Sequence, residues 1–110
     1  MNARQKALLC RKIAEDRKGI NPLILDLRRY GTLTDFFVIV SGASDRQVSA
    51  LVEEMQKALG QKDLHPHGIE GVQAARWILL DYDDVVVHIF QEADRAFYDL
   101  EGLWSNAPRV

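Results

Sequence analysis

One cysteine, three prolines and the lack of any long apolar run set the first limits on this 110-residue chain. With Cys10 alone, no internal disulfide can form, which sets aside the disulfide scaffolds of small secreted domains. Cys10 falls within a helical pattern and reads as a small apolar filler rather than a reactive thiol. No apolar stretch approaches the roughly 18 residues of a membrane span, and Arg4, Lys6, Arg11 and Lys12 interrupt any signal-peptide pattern at the N-terminus. A cytoplasmic protein without membrane association is expected. Internal repeats and low-complexity stretches are also missing, which leaves an ordinary globular chain.

What is present suits one domain over residues 1–110. Hydrophobic residues make up 47% and charged residues 27%, well away from the compositions that stay disordered. The length supports one core and is too short for two. The net charge of −2 conceals a division, because residues 1–30 carry eight Lys or Arg against three acids and residues 63–110 carry three Arg against nine acids. An acidic second half disfavours phosphate binding there and suits a basic protein surface, although ordinary solvation produces the same pattern.

Residues 4–17 place Ala7, Leu8, Ile13 and Ala14 at helical spacing, with Gly19 as a glycine stop. Pro22 opens the strand-like run Leu23–Leu27, and Asp35–Val40 is a nearly continuous apolar strand. Ser44 followed by Gln47 fits a capping box, so a helix starts there. Val48, Leu51, Val52, Met55 and Leu59 form its apolar stripe, which ends before Gly60. Trp77–Asp81 and Val85–Phe90 read as strands joined by a hairpin at Tyr82-Asp83-Asp84. Residues 92–104 return to helical spacing with Phe97, Leu100, Leu103 and Trp104 on one side, and residues 107–110 read as a loose end. A strand, a capped helix and a further strand imply a right-handed crossover with parallel strands, while the terminal hairpins are antiparallel. The expected fold is α+β, with a mixed sheet of four or five strands and helices packed on it.

Candidate catalytic sets are thin. The turn Ser41-Gly42-Ala43-Ser44 presents a helix N-terminus, but no lysine-bearing glycine loop accompanies it. His65 and His67 have the spacing of a metal arm, yet with one cysteine a closed zinc site would need His88 and a carboxylate to converge on it, and loop histidines are favoured. His88 lies within a strand, on the face of Asp84, Val86 and Phe90, and reads as a hydrogen-bonded sheet histidine rather than a general base, since no nucleophile stands near it in sequence. Asp81, Asp83 and Asp84 lack the long ligand loop of an EF-hand and read as turn aspartates. No cofactor and no metal are expected.

What accumulates instead is an acidic and aromatic surface: Trp77, Tyr82 and Trp104 with Glu70, Asp81, Asp83, Asp84, Asp99 and Glu101. Rings that combine apolar area with one polar handle anchor interfaces. Phe36, Phe37, Phe90 and Phe97 are assigned inward, which leaves Trp77, Tyr82 and Tyr98 as surface candidates.

The strings Asp35-Phe36-Phe37-Val38-Ile39, Ser44-Asp45-Arg46-Gln47-Val48, Trp77-Ile78-Leu79-Leu80-Asp81-Tyr82, Asp84-Val85-Val86-Val87-His88-Ile89-Phe90 and Phe97-Tyr98-Asp99-Leu100-Glu101 together resemble the Iojap/RsfS family. They run in order and in register from about residue 4 to residue 108. The resemblance implies a factor that binds large-subunit ribosomal protein fourteen and prevents subunit association when nutrients are scarce, with relatives linked to large-subunit assembly. It further implies a homodimer in solution and a nucleotidyltransferase-like topology. The Asp-x-Asp or Asp-x-Glu strand of those enzymes is missing here, because Glu53 and Glu54 sit on the helix, and metal-dependent nucleotidyl transfer is disfavoured accordingly. A vestigial nucleotide-binding enzyme is the competing reading, and RNA binding through the basic first helix is a third. The ribosome-facing surface is expected around Trp77, Leu79, Asp81, Tyr82 and Asp84, with Tyr98, Asp99 and Glu101 adjoining.

Overall fold

Helix α1 (Ala3–Asp16) begins with a signal that apolar periodicity does not reveal. The Asn2 side chain accepts from the Gln5 N–H at 2.8 Å, and Gln5 Oε1 accepts from the Asn2 N–H at 2.9 Å, a reciprocal cap that satisfies two otherwise unpaired donors. At the far end the Lys18 N–H bonds to the Glu15 carbonyl and the Gly19 N–H to the Ala14 carbonyl, the pairing of a Schellman motif. Lys18, at φ +60°, takes the left-handed position expected of Gly19. Gly19 is needed for space instead, since a Cβ there would lie 2.5 Å from Val40 Cγ2.

The computed structural model describes all 110 residues. After α1 come β1 (Ile20–Asp26), a short 3₁₀ turn (Arg28–Tyr30), β2 (Phe36–Gly42), α2 (Asp45–Gly60), β3 (Gly68–Glu70), β4 (Trp77–Asp81), β5 (Val85–Gln91), α3 (Glu92–Tyr98) and α4 (Leu100–Leu103). The strands form one mixed sheet in the order β1-β2-β5-β4-β3. The pair β2–β5 is parallel and the other three are antiparallel. No helix is long and apolar enough to cross a membrane.

The sheet is mixed and five-stranded as expected, but the parallel neighbour of β2 is β5 rather than the first strand after α2. Burial explains the order. His88, Ile89 and Phe90 of β5 are consecutive buried residues, so both faces of this strand need cover and it takes the centre. In contrast β4 alternates between buried and half-buried positions, and all of β3 is exposed, which suits the edge.

Ser44 caps α2 by accepting from the Gln47 N–H at 3.2 Å. The reciprocal bond expected from the sequence is displaced by one residue: Gln47 Oε1 accepts from the Ala43 N–H, while its amide donates to the Lys18 carbonyl and holds the side chain toward the end of α1. Val48, Leu51, Val52, Met55 and Leu59 of α2 are buried together with Ala7, Cys10, Ile13 and Ala14 of α1. Both stripes lie on the sheet face formed by Ile24, Phe36, Val38, Val40, Ile78, Leu80, Val85, Val87 and Ile89, making the main core. Burial pushes the Cys10 thiol up to about 12, so it is protonated and acts as apolar filler.

Two expectations about the C-terminus fail. The helix over 92–104 is broken at Asp99, whose φ of +46° ends α3 and whose carboxylate accepts from the Gly102 N–H to start α4. The break turns Phe97 outward, leaving it 80% exposed, while Leu100 and Trp104 pack under the sheet. Residues 107–110 are not loose. The Asp26 N–H bonds to the Pro108 carbonyl, the Val110 N–H bonds to the Ile24 carbonyl, and Arg11 donates to the Val110 carbonyl. This strap covers the free edge of β1, an edge otherwise open to unwanted strand pairing.

Candidate functional site

The second face of the sheet carries the candidate site, because it is only partly covered. Period-two alternation puts Phe37, Ile39 and Ser41 of β2, Val86, His88 and Phe90 of β5, and Trp77, Leu79 and Asp81 of β4 on this side. The registers align them in rows: Phe37, Val86 and Asp81; Ile39, His88 and Leu79; Ser41, Phe90 and Trp77. A small core of Leu25, Leu27, Ile39, Phe90 and Ala107, with Leu100 and Trp104 against it, closes the side nearest β1. Phe37, Val86, Leu79, Trp77 and Asp81 remain half-buried, forming an apolar strip with one carboxylate. Exposed Glu70 lies opposite Leu79 on β3.

Trp77 is the best-supported ring on this strip. It stacks on Phe90 with centroids 4.8 Å apart and meets Tyr98 at 4.8 Å with the planes tilted. Its indole N–H donates to His88 Nδ1 at 3.1 Å. His88 is buried, and burial alone holds its imidazole down to about 4 from an ordinary 6.5, so the ring is neutral at physiological pH and Nδ1 is free to accept. Phe37 meets His88 edge-on at 4.4 Å and Trp104 at 6.2 Å. Beyond Trp77, Tyr98 and Phe97 join Gly71, Ala74, Arg76, Ala93 and Asp94 around a cleft of about 530 Å³. The Arg76–Asp94 ion pair, at 3.0 Å, ties the 71–76 segment to α3.

The structure brings together Trp77, Leu79, Asp81 and Tyr98 and separates the other sequence candidates from them. Tyr82 is 3% exposed and belongs to the main core on the opposite face, with burial pushing its phenol up to about 12. It is not a surface anchor. Alternation already carries this result, since Tyr82 follows Asp81 and faces the other way. Asp84 pairs with Lys6 of α1 at 2.6 Å on the helix-covered side. Asp99 and Glu101 line a recess of about 230 Å³ with Ile20, Asn21, Ser41 and Arg95. There Glu101 pairs with buried Arg95 at 3.1 Å, and Asp99 is occupied with the cap of α4.

Sequence reasoning missed Phe37 and Val86 on the strip. Their signal was period two, which sets Phe37 on the face opposite Phe36. It also missed Arg95, which donates to the Ile20 carbonyl, Ser41 Oγ and Glu101 and clamps α3 to the end of the sheet. In the Ser41–Ser44 turn both hydroxyls therefore have internal partners, Arg95 for Ser41 and the Gln47 N–H for Ser44. Asp81 Oδ1 accepts from the Asp83 N–H at 2.8 Å, the bond of a turn aspartate. His65 and His67 are exposed, and His65 sits 3.2 Å from Asp63.

Comparison with known proteins agrees with this architecture. A ribosomal silencing factor from Halalkalibacterium halodurans is 38% identical over 87% of this chain and 82% of its own length. One from Bacillus subtilis is 34% identical over 98% of this chain and 92% of its own. The X-ray structure of a Chromobacterium violaceum protein superposes with a TM-score of 0.91 at 34% identity, covering 96% of this chain and 88% of that one. The family model described as "Ribosomal silencing factor during starvation" matches residues 1–110, and the chain belongs to that family, RsfS.

Proposed function

We propose that this protein is a cytoplasmic silencing factor that docks on large-subunit ribosomal protein fourteen through the half-covered sheet face. Docking there sterically blocks association of the small and large subunits and represses translation under nutrient limitation. The observation that carries this reading is the strip of Trp77, Leu79, Val86 and Phe37 with Tyr98 beside it, apolar, half exposed and bordered by Asp81 and Glu70. A contiguous apolar patch rimmed by polar residues marks an interaction surface, and buried aromatic anchors concentrate interface energy. The acidic border complements a basic ribosomal protein and favours rapid encounter with it.

Steric exclusion requires no reaction, and the engagement of Ser41 and Ser44 within the fold favours binding over nucleotide chemistry. The same apolar strip suits a second copy of the chain, so a homodimer in solution opens when the ribosomal partner docks. Sedimentation of purified subunits with and without the protein tests the reading. Fewer seventy-S particles, with the protein travelling on the large subunit, supports it. Unchanged seventy-S formation at saturating protein overturns it.

A further inference from the structure

We infer that His88 is the positioning residue of the docking face: its Nδ1 fixes the Trp77 ring for the partner, at the expense of a buried donor left without an acceptor. This rests on the docking reading above and deepens it by naming what organises the anchor.

The geometry supports the inference from both ring nitrogens. The Trp77 N–H points at His88 Nδ1 at 3.1 Å, so Nδ1 is the acceptor and the proton of the neutral ring resides on Nε2. That Nε2 is buried and has no hydrogen-bond partner. A residue that served only to fill this position would be better as a phenylalanine or leucine, because an unsatisfied buried donor opposes folding. The surroundings are apolar enough for such a replacement, with Phe37, Phe90, Ile39 and Leu79 as its neighbours in space or register. The histidine contributes what those residues cannot: an acceptor beneath a half-exposed indole whose ring contacts with Phe90 and Tyr98 carry no hydrogen bond to fix its orientation. A pre-oriented aromatic anchor loses less freedom on binding and so holds its partner more tightly.

Three variants separate positioning from packing. His88→Phe removes the acceptor and the orphan donor together, His88→Asn keeps an acceptor close to the Nδ1 position, and Trp77→Phe removes the indole N–H. In a Trp104→Phe background the remaining tryptophan reports on Trp77 directly, without any partner. His88→Phe is expected to melt at or above the temperature of the parent, to show freer acrylamide quenching and lower anisotropy of Trp77, and to bind large subunits roughly five- to tenfold more weakly. His88→Asn restores both the fluorescence and the affinity. On top of Trp77→Phe, His88→Phe has no further effect on binding. Unchanged Trp77 quenching in a folded His88→Phe protein overturns the inference whether or not ribosomes are bound. Additive losses of affinity in the two variants also overturn it. A parent protein that fails to bind large subunits, with His88-dependent Trp77 quenching intact, sinks the docking reading and leaves the positioning itself standing.

Discussion

Acid should weaken this fold in part through His88, and comparison with a variant that lacks the imidazole separates that contribution from the rest. His88 titrates near 6.5 when unfolded, and burial holds it down to about 4 when folded. Between those values the unfolded chain binds a proton that the folded chain refuses, so stability rises with pH across the window. Above about pH 6.5 His88 contributes no slope. As the pH falls from there to about 4 the folded state loses ground, and below about 4 the loss levels off, because both states are then protonated. A gap of this width at about 1.4 kcal/mol per pH unit corresponds to about 3 kcal/mol, a large share of the stability of a small domain. Urea denaturation of the parent and of His88→Asn at several pH values from 7.5 to 4 isolates the effect, since every other side chain is common to both proteins. The parent is expected to lose about 3 kcal/mol more than His88→Asn across the window. Parallel curves would refute the reasoning, and with it the neutral, acceptor-presenting state of His88 on which Trp77 depends.

Further outcomes follow from the same contacts. Tyr82→Phe removes a buried hydroxyl that has no partner, so chemical denaturation should show stability unchanged or raised by up to about 1 kcal/mol, whereas Tyr82→Ala should cost about 3 kcal/mol or more as a core cavity. Ser44→Ala loses the cap of α2 and should cost about 1 kcal/mol in thermal melts while leaving subunit exclusion intact. On the proposed docking face, folded Trp77→Ala should bind large subunits roughly 30-fold more weakly, the equivalent of about 2 kcal/mol. Asp81→Lys should slow association and reverse its salt dependence; stopped-flow binding at two ionic strengths reads both.

Much of the fold was legible because local chemistry and pattern agree. The stripe from Val48 to Leu59 is buried, and the runs 36–40 and 85–90 are strands, since their apolar residues leave no polar face for solvent. Strand order was not legible, because it depends on which strands need cover on both faces once all are assembled. The break at Asp99 escaped notice because Phe97, Leu100, Leu103 and Trp104 fit one helical stripe, and nothing in that spacing reveals a left-handed aspartate that caps a second helix. The strap at 107–110 is held mainly by backbone bonds to β1, with Arg11 reaching its last carbonyl from α1, and such bonds leave no pattern in the sequence. Of the candidate site, Trp77, Leu79 and Asp81 follow from alternation along one strand, and Tyr98 reaches them through tertiary packing against Trp77. Asp84, Asp99 and Glu101 join them in sequence only through charge and their place on the hairpin and the last helix. Charge does not reveal that Lys6, the Gly102 N–H and Arg95 already hold these carboxylates.

The most direct test of the docking surface is co-sedimentation of large subunits with folded Trp77→Ala, Leu79→Ala and Tyr82→Phe proteins, each compared with the parent. If the half-covered face is the docking surface, the Trp77 and Leu79 variants leave the large-subunit peak and allow seventy-S particles to form, while Tyr82→Phe behaves like the parent. If folded Trp77→Ala and Leu79→Ala still travel with large subunits and still block joining, this face is not the docking surface, and the basic helix α1 becomes the place to look.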